Sequence, residues 1–240
     1  MSLASAPADI NAAEVRVAVA ANFEPVLQRL TPAFERATGD KLIVTPGSTG
    51  KLYAQIAAGA PFDVFLAADA RRPQRLEAQG LAVAGSRFTY AVGRLVLWMR
   101  RPTAARGLQG LTDPRIHRIA IANPDVAPYG EAAWEALQRG GVWQAVTGKL
   151  VYGENIGQAF HYVAAGSADA GLVAMSQLLT YAGPKAGTSY WPVPARDYTP
   201  LQQQAVLLRR AKDNAAAAAF LRFLKTAQTR AAIRRYGYGP

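Results

Sequence analysis

The sequence predicts an α/β protein built as two lobes, each a mostly parallel sheet flanked by helices. Three observations predict it. Short β-type runs alternate with segments of helical period along almost the whole chain, the pattern of strand–helix–strand units. Gly39, Gly59, Gly80 and Gly166 stand where successive helical segments should end. Proline and glycine punctuate two places, near residues 90–94 and 194–202, where the chain would cross between lobes. These crossings divide the sequence into a flexible leader (1–13), a first lobe (14–90 and 197–240) and a second lobe (91–196).

Residues 15–20 form a β-rich run bounded by polar residues, a buried first strand. Over 22–38, Val26, Leu27, Leu30 and Phe34 recur at helical spacing, and Gly39 stops the helix. A second strand spans 41–45. Ser48-Thr49-Gly50 then opens a helix with Leu52, Ile56 and Ala57 on one face, closed by Gly59. A third strand covers 63–67, and a short helix at 72–79 stops at Gly80. The second lobe begins with a strongly apolar strand at 94–99, followed by a strand at 118–122 and a proline-led helix at 129–138. A strand at 150–152, a helix at 156–165 and a strand at 170–174 complete it. The return brings a strand at 203–208 and two helices, at 215–226 and 229–236. No repeat of solenoid length is present.

Composition narrows the function classes. The chain has 240 residues, half of them apolar, which is ample for a buried core. No apolar run approaches the ~18 residues of a membrane span. There is no cysteine, so disulfides and thiolate metal sites are excluded while the compartment stays open. The net charge is +11, but the basic residues are scattered apart from pairs such as Arg71-Arg72, Arg100-Arg101, Arg209-Arg210 and Arg234-Arg235. Without a Lys/Arg block interleaved with aromatics, a helix-turn-helix or a zinc finger, nucleic acid is not expected as a partner. A positive field does suit an anionic solute. The N-terminus, Met1 to Pro7, lacks the charged start and apolar run of a secretion signal. It reads either as that of a cytoplasmic protein or as that of one whose leader was removed.

Four strand-to-helix junctions are short, rich in small residues and supplied with hydrogen-bond donors. They are Ala20-Ala21-Asn22-Phe23, Gly47-Ser48-Thr49-Gly50, Asn123 to Gly130, and Gly153-Glu154-Asn155-Ile156-Gly157. The first N–H groups of a helix lack intrahelical partners and sit at the positive end of its dipole. Several such ends facing one cleft would hold an anion without charged side chains. Each junction also has an ordinary reading, because Asn22, Ser48, Thr49 and Asn155 are standard N-cap types. Enzyme signatures fail. Gly50-Lys51 imitates a phosphate-binding loop, but residue 45 is Thr where Gly is needed and residue 52 is Leu where Ser or Thr is needed. No G-x-S-x-G elbow occurs. The only histidines, His117 and His161, have no metal-binding spacing. Asp63 and Asp69 flank a strand and are expected to cap its ends. No catalysis is expected.

Together the motifs resemble the periplasmic molybdate-binding proteins of ABC importers, within the type II periplasmic-binding-protein fold. The clearest stretch runs from Gly47-Ser48-Thr49-Gly50-Lys51-Leu52 through Gln55-Ile56, Gly59-Ala60-Pro61 and Asp63-Val64-Phe65 to Ala68-Asp69. Asn123-Pro124 with Pro128-Tyr129-Gly130, Ala168-Asp169-Ala170-Gly171 and Arg235-Tyr236-Gly237-Tyr238 follow in the family's order. The resemblance covers residues 15–238. It implies a ligand in the interlobe cleft, molybdate or tungstate, held by Ala21, Asn22, Ser48, Thr49, Tyr129 and Ile156. Asn22 would supply a side-chain or backbone donor, Thr49 a hydroxyl with Ser48 beside it, and Tyr129 and Ile156 their backbone N–H groups. Many members add a tyrosine hydroxyl at a position that is Ala174 here, for which the Tyr129 hydroxyl is expected to compensate. Asp125, Glu131 and Glu154 are expected to point away. The resemblance further implies a monomer in the periplasm that docks to a membrane permease, with no resident cofactor and no metal held as a cation. Alternatives are a binding protein for sulfate or phosphate, or the sensing domain of a transcription regulator. The regulator reading would need a DNA-binding helix set ahead of residue 15.

Overall fold

In the computed structural model, residues 12–184 and 187–239 are described; most of the expected leader lies outside them. The chain begins with β1 (Glu14–Ala20), α1 (Glu24–Thr38), β2 (Lys41–Gly47), α2 (Thr49–Ala57), β3 (Val64–Leu66), α3 (Arg71–Ala78) and β4 (Phe88–Gly93). It continues with β5 (Leu95–Met99), β6 (Ile119–Ala122), α4 (Pro128–Arg139), α5 (Trp143–Val146), β7 (Leu150–Gly153), α6 (Ile156–Ala164), β8 (Ala170–Ala174), α7 (Met175–Thr180) and β9 (Ser189–Pro192). The last elements are β10 (Leu201–Leu207), α8 (Ala215–Lys225) and α9 (Ala227–Arg235).

Two five-stranded sheets result, ordered β2-β1-β3-β10-β4 and β7-β6-β8-β5-β9. In the first, β2, β1 and β3 are parallel and β10 runs antiparallel to both its neighbours. In the second, β7, β6 and β8 are parallel and β5 is the reversed strand. In each sheet the reversed strand is the one by which the chain arrives from the other sheet. Both sheets are therefore mixed, with a parallel majority.

The apolar pattern explains the layering. Val26, Leu27, Leu30 and Phe34 bury one side of α1 against Val15, Val17 and Val19 of β1, with Phe220 and Leu224 of α8 in the same core. The other face of that sheet packs Ala18, Phe65 and Val206 against Leu52, Ile56 and Leu76 from α2 and α3. Burial on both faces is why these strands read as apolar runs and not as alternation. Gly39, at φ 80, takes the left-handed conformation that ends α1 and donates its N–H to the Glu35 carbonyl. The second core, around Leu95, Leu97, Ile119, Ile121 and Leu172, extends to Ala20, Ala21 and Ala68 of the first sheet's junctions, so the two halves touch across the cleft.

Several expectations need correction. Residues 91–93, placed in the second lobe, pair with β10 in the first sheet, Gly93 opposite Leu201. The change of sheet thus falls between Gly93 and Leu95. β4 runs into the crossing expected at 90–94, and Gly93 ends it. β9 escapes the pattern because it is a four-residue edge strand ending in proline, which an edge tolerates. α7 is only six residues long, and its N-cap residue, Ala174, has no polar side chain to mark the start. α1 begins at Glu24 with Phe23 at the cap position, leaving Asn22 outside the helix.

Candidate functional site

The four junctions end at one cavity. Ala21, Asn22, Ser48, Thr49, Tyr129 and Ile156 all line it, together with small residues such as Ala68 and Ala127. Counting the solvent at its mouth, it spans about 190 Å³, next to a much larger cleft that spans about 850 Å³ on the same measure between Asp69, Arg71, Glu131 and Glu135. The open cleft offers volume. The small cavity offers convergent donors.

Those donors follow from helix geometry. Thr49, Tyr129 and Ile156 occupy the first positions of α2, α4 and α6, where no preceding turn exists to accept their N–H groups. Pro128 opens α4 and has no N–H itself, so Tyr129 carries the first one. Among the described residues, the backbone N–H groups of Asn22, Thr49, Tyr129 and Ile156 have no hydrogen-bond partner. Two hydroxyls lie beside them. Ser48 caps α2, its Oγ accepting from the Lys51 N–H at 3.4 Å. The Thr49 Oγ1 accepts from the Ala68 N–H at 3.1 Å. Neither hydroxyl donates to a described residue, so both protons are free to turn toward a guest. Asn155 behaves as an ordinary cap, its Oδ1 accepting from the Gln158 N–H.

Asn22 does something else. It is fully buried, and its Nδ2 donates to the Gln203 Oε1 and the Tyr238 Oη, both at 2.9 Å. Its carbonyl accepts from the hydroxyls of Tyr238 and, across the lobes, Ser176. Its Oδ1 is buried without a partner. Tyr90 also donates to Gln203, whose Nε2 donates to the Tyr129 Oη at 3.2 Å. The Tyr129 Oη thus accepts from Gln203 and lies beside Gly93, and neither of these residues lines the small cavity. Burial holds the phenols of Tyr90, Tyr129 and Tyr238 well above their ordinary pKa, so all three stay neutral. Gln203, Tyr238, Tyr90 and Ser176 were missed from sequence. A glutamine triplet, Gln202-Gln203-Gln204, inside an apolar strand was the available signal.

No carboxylate lines the small cavity. Glu154 pairs with Lys51 at 3.0 Å and Glu131 with Arg71 at 3.3 Å, both pairs spanning the two halves at the surface. Asp125 is exposed. Asp69 is paired with Arg72, and Asp63 accepts the Arg16 N–H at 2.8 Å beside β1. His117 and His161 are exposed, and no group of three potential metal ligands occurs among the described residues. A small pocket lined by neutral groups with unpartnered donors suits a small, fully deprotonated anion.

Residues 15–239 match the family described as bacterial extracellular solute-binding protein. The chain belongs to that family. Among these solute-binding proteins, the molybdate-binding protein ModA of Azotobacter vinelandii is 48% identical over 230 residues, covering 95% of this chain and 90% of the relative. The molybdate-binding protein ModA of Rhodobacter capsulatus is 44% identical, covering 95% and 88%. A solved structure of the Azotobacter vinelandii periplasmic molybdate-binding protein superposes with a TM-score of 0.87 at 39% identity, covering 94% of this chain and 99% of that one. The two-lobed periplasmic-binding-protein fold is therefore that of this solute-binding chain.

Proposed function

We propose that this chain captures molybdate, and tungstate with it, as the periplasmic solute-binding component of an ABC importer and hands the ion to a membrane permease. The observation that carries this reading is the set of unpartnered N–H groups at Asn22, Thr49, Tyr129 and Ile156, drawn from both lobes around one cavity. A tetrahedral dianion presents only acceptors, and a ring of amides and hydroxyls satisfies it without a neutralising charge. The names and close similarity of the relatives point to the same ion. The protein acts as a monomer and makes or breaks no bond; the lobes close around the ion and release it on docking.

Asn22 completes the ring through a rearrangement its surroundings permit. If the carboxamides of Asn22 and Gln203 turn over together, Gln203 donates to Asn22 and Tyr90, and Tyr129 donates to Gln203. The bonds to Gln203 survive; the single proton of Tyr238, now given to the Asn22 backbone carbonyl, must choose between that oxygen and the turned carboxamide, so one bond is given up as the unpartnered Asn22 atom becomes an N–H donor. With the oxygen presented instead, the pocket would accept a proton, as hydrogen phosphate requires. Calorimetric titration with molybdate, tungstate, sulfate and phosphate separates these states. Tight binding of the first two with weak sulfate and phosphate is expected. A preference for phosphate near neutral pH would overturn the assignment.

A further inference from the structure

We infer that Gly50 is the closure stop of this protein, the residue that sets how near the two halves of the donor ring approach. The inference rests on the proposed capture of an oxyanion for its ligand, though not for its geometry. Gly50 is the second residue of α2, in the first lobe, and its N–H donates to the Val126 carbonyl of the second lobe at 2.8 Å. The bond joins backbone to backbone across the cleft, one residue from Thr49 and three from Tyr129. An N–H that α2 cannot satisfy internally is thus satisfied by the opposite lobe, and only when the lobes are closed.

Nothing local requires glycine here. Gly50 does not take positive φ, and alanine is the better helix former by about 1 kcal/mol. What excludes a side chain is the other lobe. A Cβ at this position would lie 2.8 Å from the Val126 oxygen and 3.0 Å from its Cα, against an ordinary contact of 3.4 Å or more. Both are backbone atoms and have no rotamer by which to yield. Its remaining close neighbour, 3.0 Å away, is the Arg72 guanidinium, which is itself held by Asp69. An added methyl must therefore hold the junctions of α2 and α4 apart, and the N–H groups of Thr49 and Tyr129 with them. Gly50 is a positioning residue: its effect reaches the anion through the spacing of its neighbours.

The test is Gly50→Ala, with Gly148→Ala as control because a Cβ there meets nothing within 4 Å. Molybdate affinity should fall roughly tenfold or more in Gly50→Ala, while the ligand-free protein melts at or above the wild-type temperature. A merely structural role would lower affinity and melting temperature together. Closure is also read without ligand. Lys51 and Glu154 meet across the cleft at 3.0 Å, so carbodiimide condenses them to an amide in the closed state only. The yield of that cross-link, measured by mass spectrometry, should drop in Gly50→Ala and stay unchanged in Gly148→Ala. Wild-type affinity together with wild-type cross-linking would overturn the inference. If the wild-type protein binds none of the four oxyanions, the functional reading fails and the cross-link alone decides the role of Gly50.

Discussion

The two lobes present the same strand order and the same helix starts, yet they equip the cavity differently. The first lobe brings side chains: the Asn22 carboxamide and the hydroxyls of Ser48 and Thr49, all buried. The second lobe brings backbone, because the Tyr129 hydroxyl lies beside Gly93 and Gln203, outside the cavity lining, and position 174 is alanine. Helix geometry makes a backbone N–H ring available on any sequence, so the second lobe's half is insulated from substitution. The first lobe's half depends on particular residues. Chemical specificity should therefore be concentrated in one lobe and generic anion affinity in the other.

The sharpest way to break that contrast is Asn22→Asp. It places a carboxylate of the same shape among donors that await an anion, in a fully buried position. Loss of molybdate binding by more than about 100-fold is expected, with the fold weakened by about 3 kcal/mol from an unpaired buried charge. Calorimetry and thermal melts measure both. Thr49→Val is next. It keeps the shape of the side chain and removes the hydroxyl, both the acceptor of the Ala68 N–H and the free donor. Affinity should fall by roughly 10- to 100-fold, the loss of one hydrogen bond to a charged group. Ser48→Ala should cost about 1 kcal/mol of stability as a lost cap, with a smaller effect on affinity. If Ser48→Ala exceeds Thr49→Val in calorimetric affinity loss, the principal hydroxyl has been misassigned.

These sites differ in how far they can be read from sequence. The parallel core of each sheet, with α1, α2, α4 and α6, follows from local apolar period and from glycine or proline stops, signals that a few residues carry. The direction of the reversed strands, β5 and β10, does not show in that pattern, since it depends on which lobe the chain arrives from. For the same reason residues 91–93 fell on the wrong side of the crossing. In the cavity, the position of each donor at a helix start is written locally, as Ser48 and Asn155 show by capping as their type predicts. Asn22 is the counterexample. Its residue type suggests a cap, but its partners Gln203 and Tyr238 lie 181 and 216 residues away. No spacing rule reaches that far. The Tyr129 hydroxyl misleads for the same reason: its neighbour is chosen by β10 and not by its own helix.

The smallest effect should come from Tyr129→Phe, which isolates the backbone contribution of the second lobe. With the N–H retained, molybdate affinity should stay within about threefold of wild type, although stability falls by about 1 kcal/mol with the Gln203 contact. The substitution has its own signature at high pH. Burial raises the folded-state pKa of Tyr90, Tyr129 and Tyr238 above the unfolded value of about 10. Their neutral forms therefore add stability that is fully present below about pH 10 and is lost as pH rises toward the folded values, because the unfolded chain then releases protons that the folded chain keeps. Removing one phenol removes one of those protons. Urea midpoints followed from about pH 8 to 11 should fall less steeply in Tyr129→Phe than in wild type. An identical alkaline slope would mean that the Tyr129 hydroxyl reaches solvent, which would return it to the cleft as a candidate donor and erase the asymmetry between the lobes.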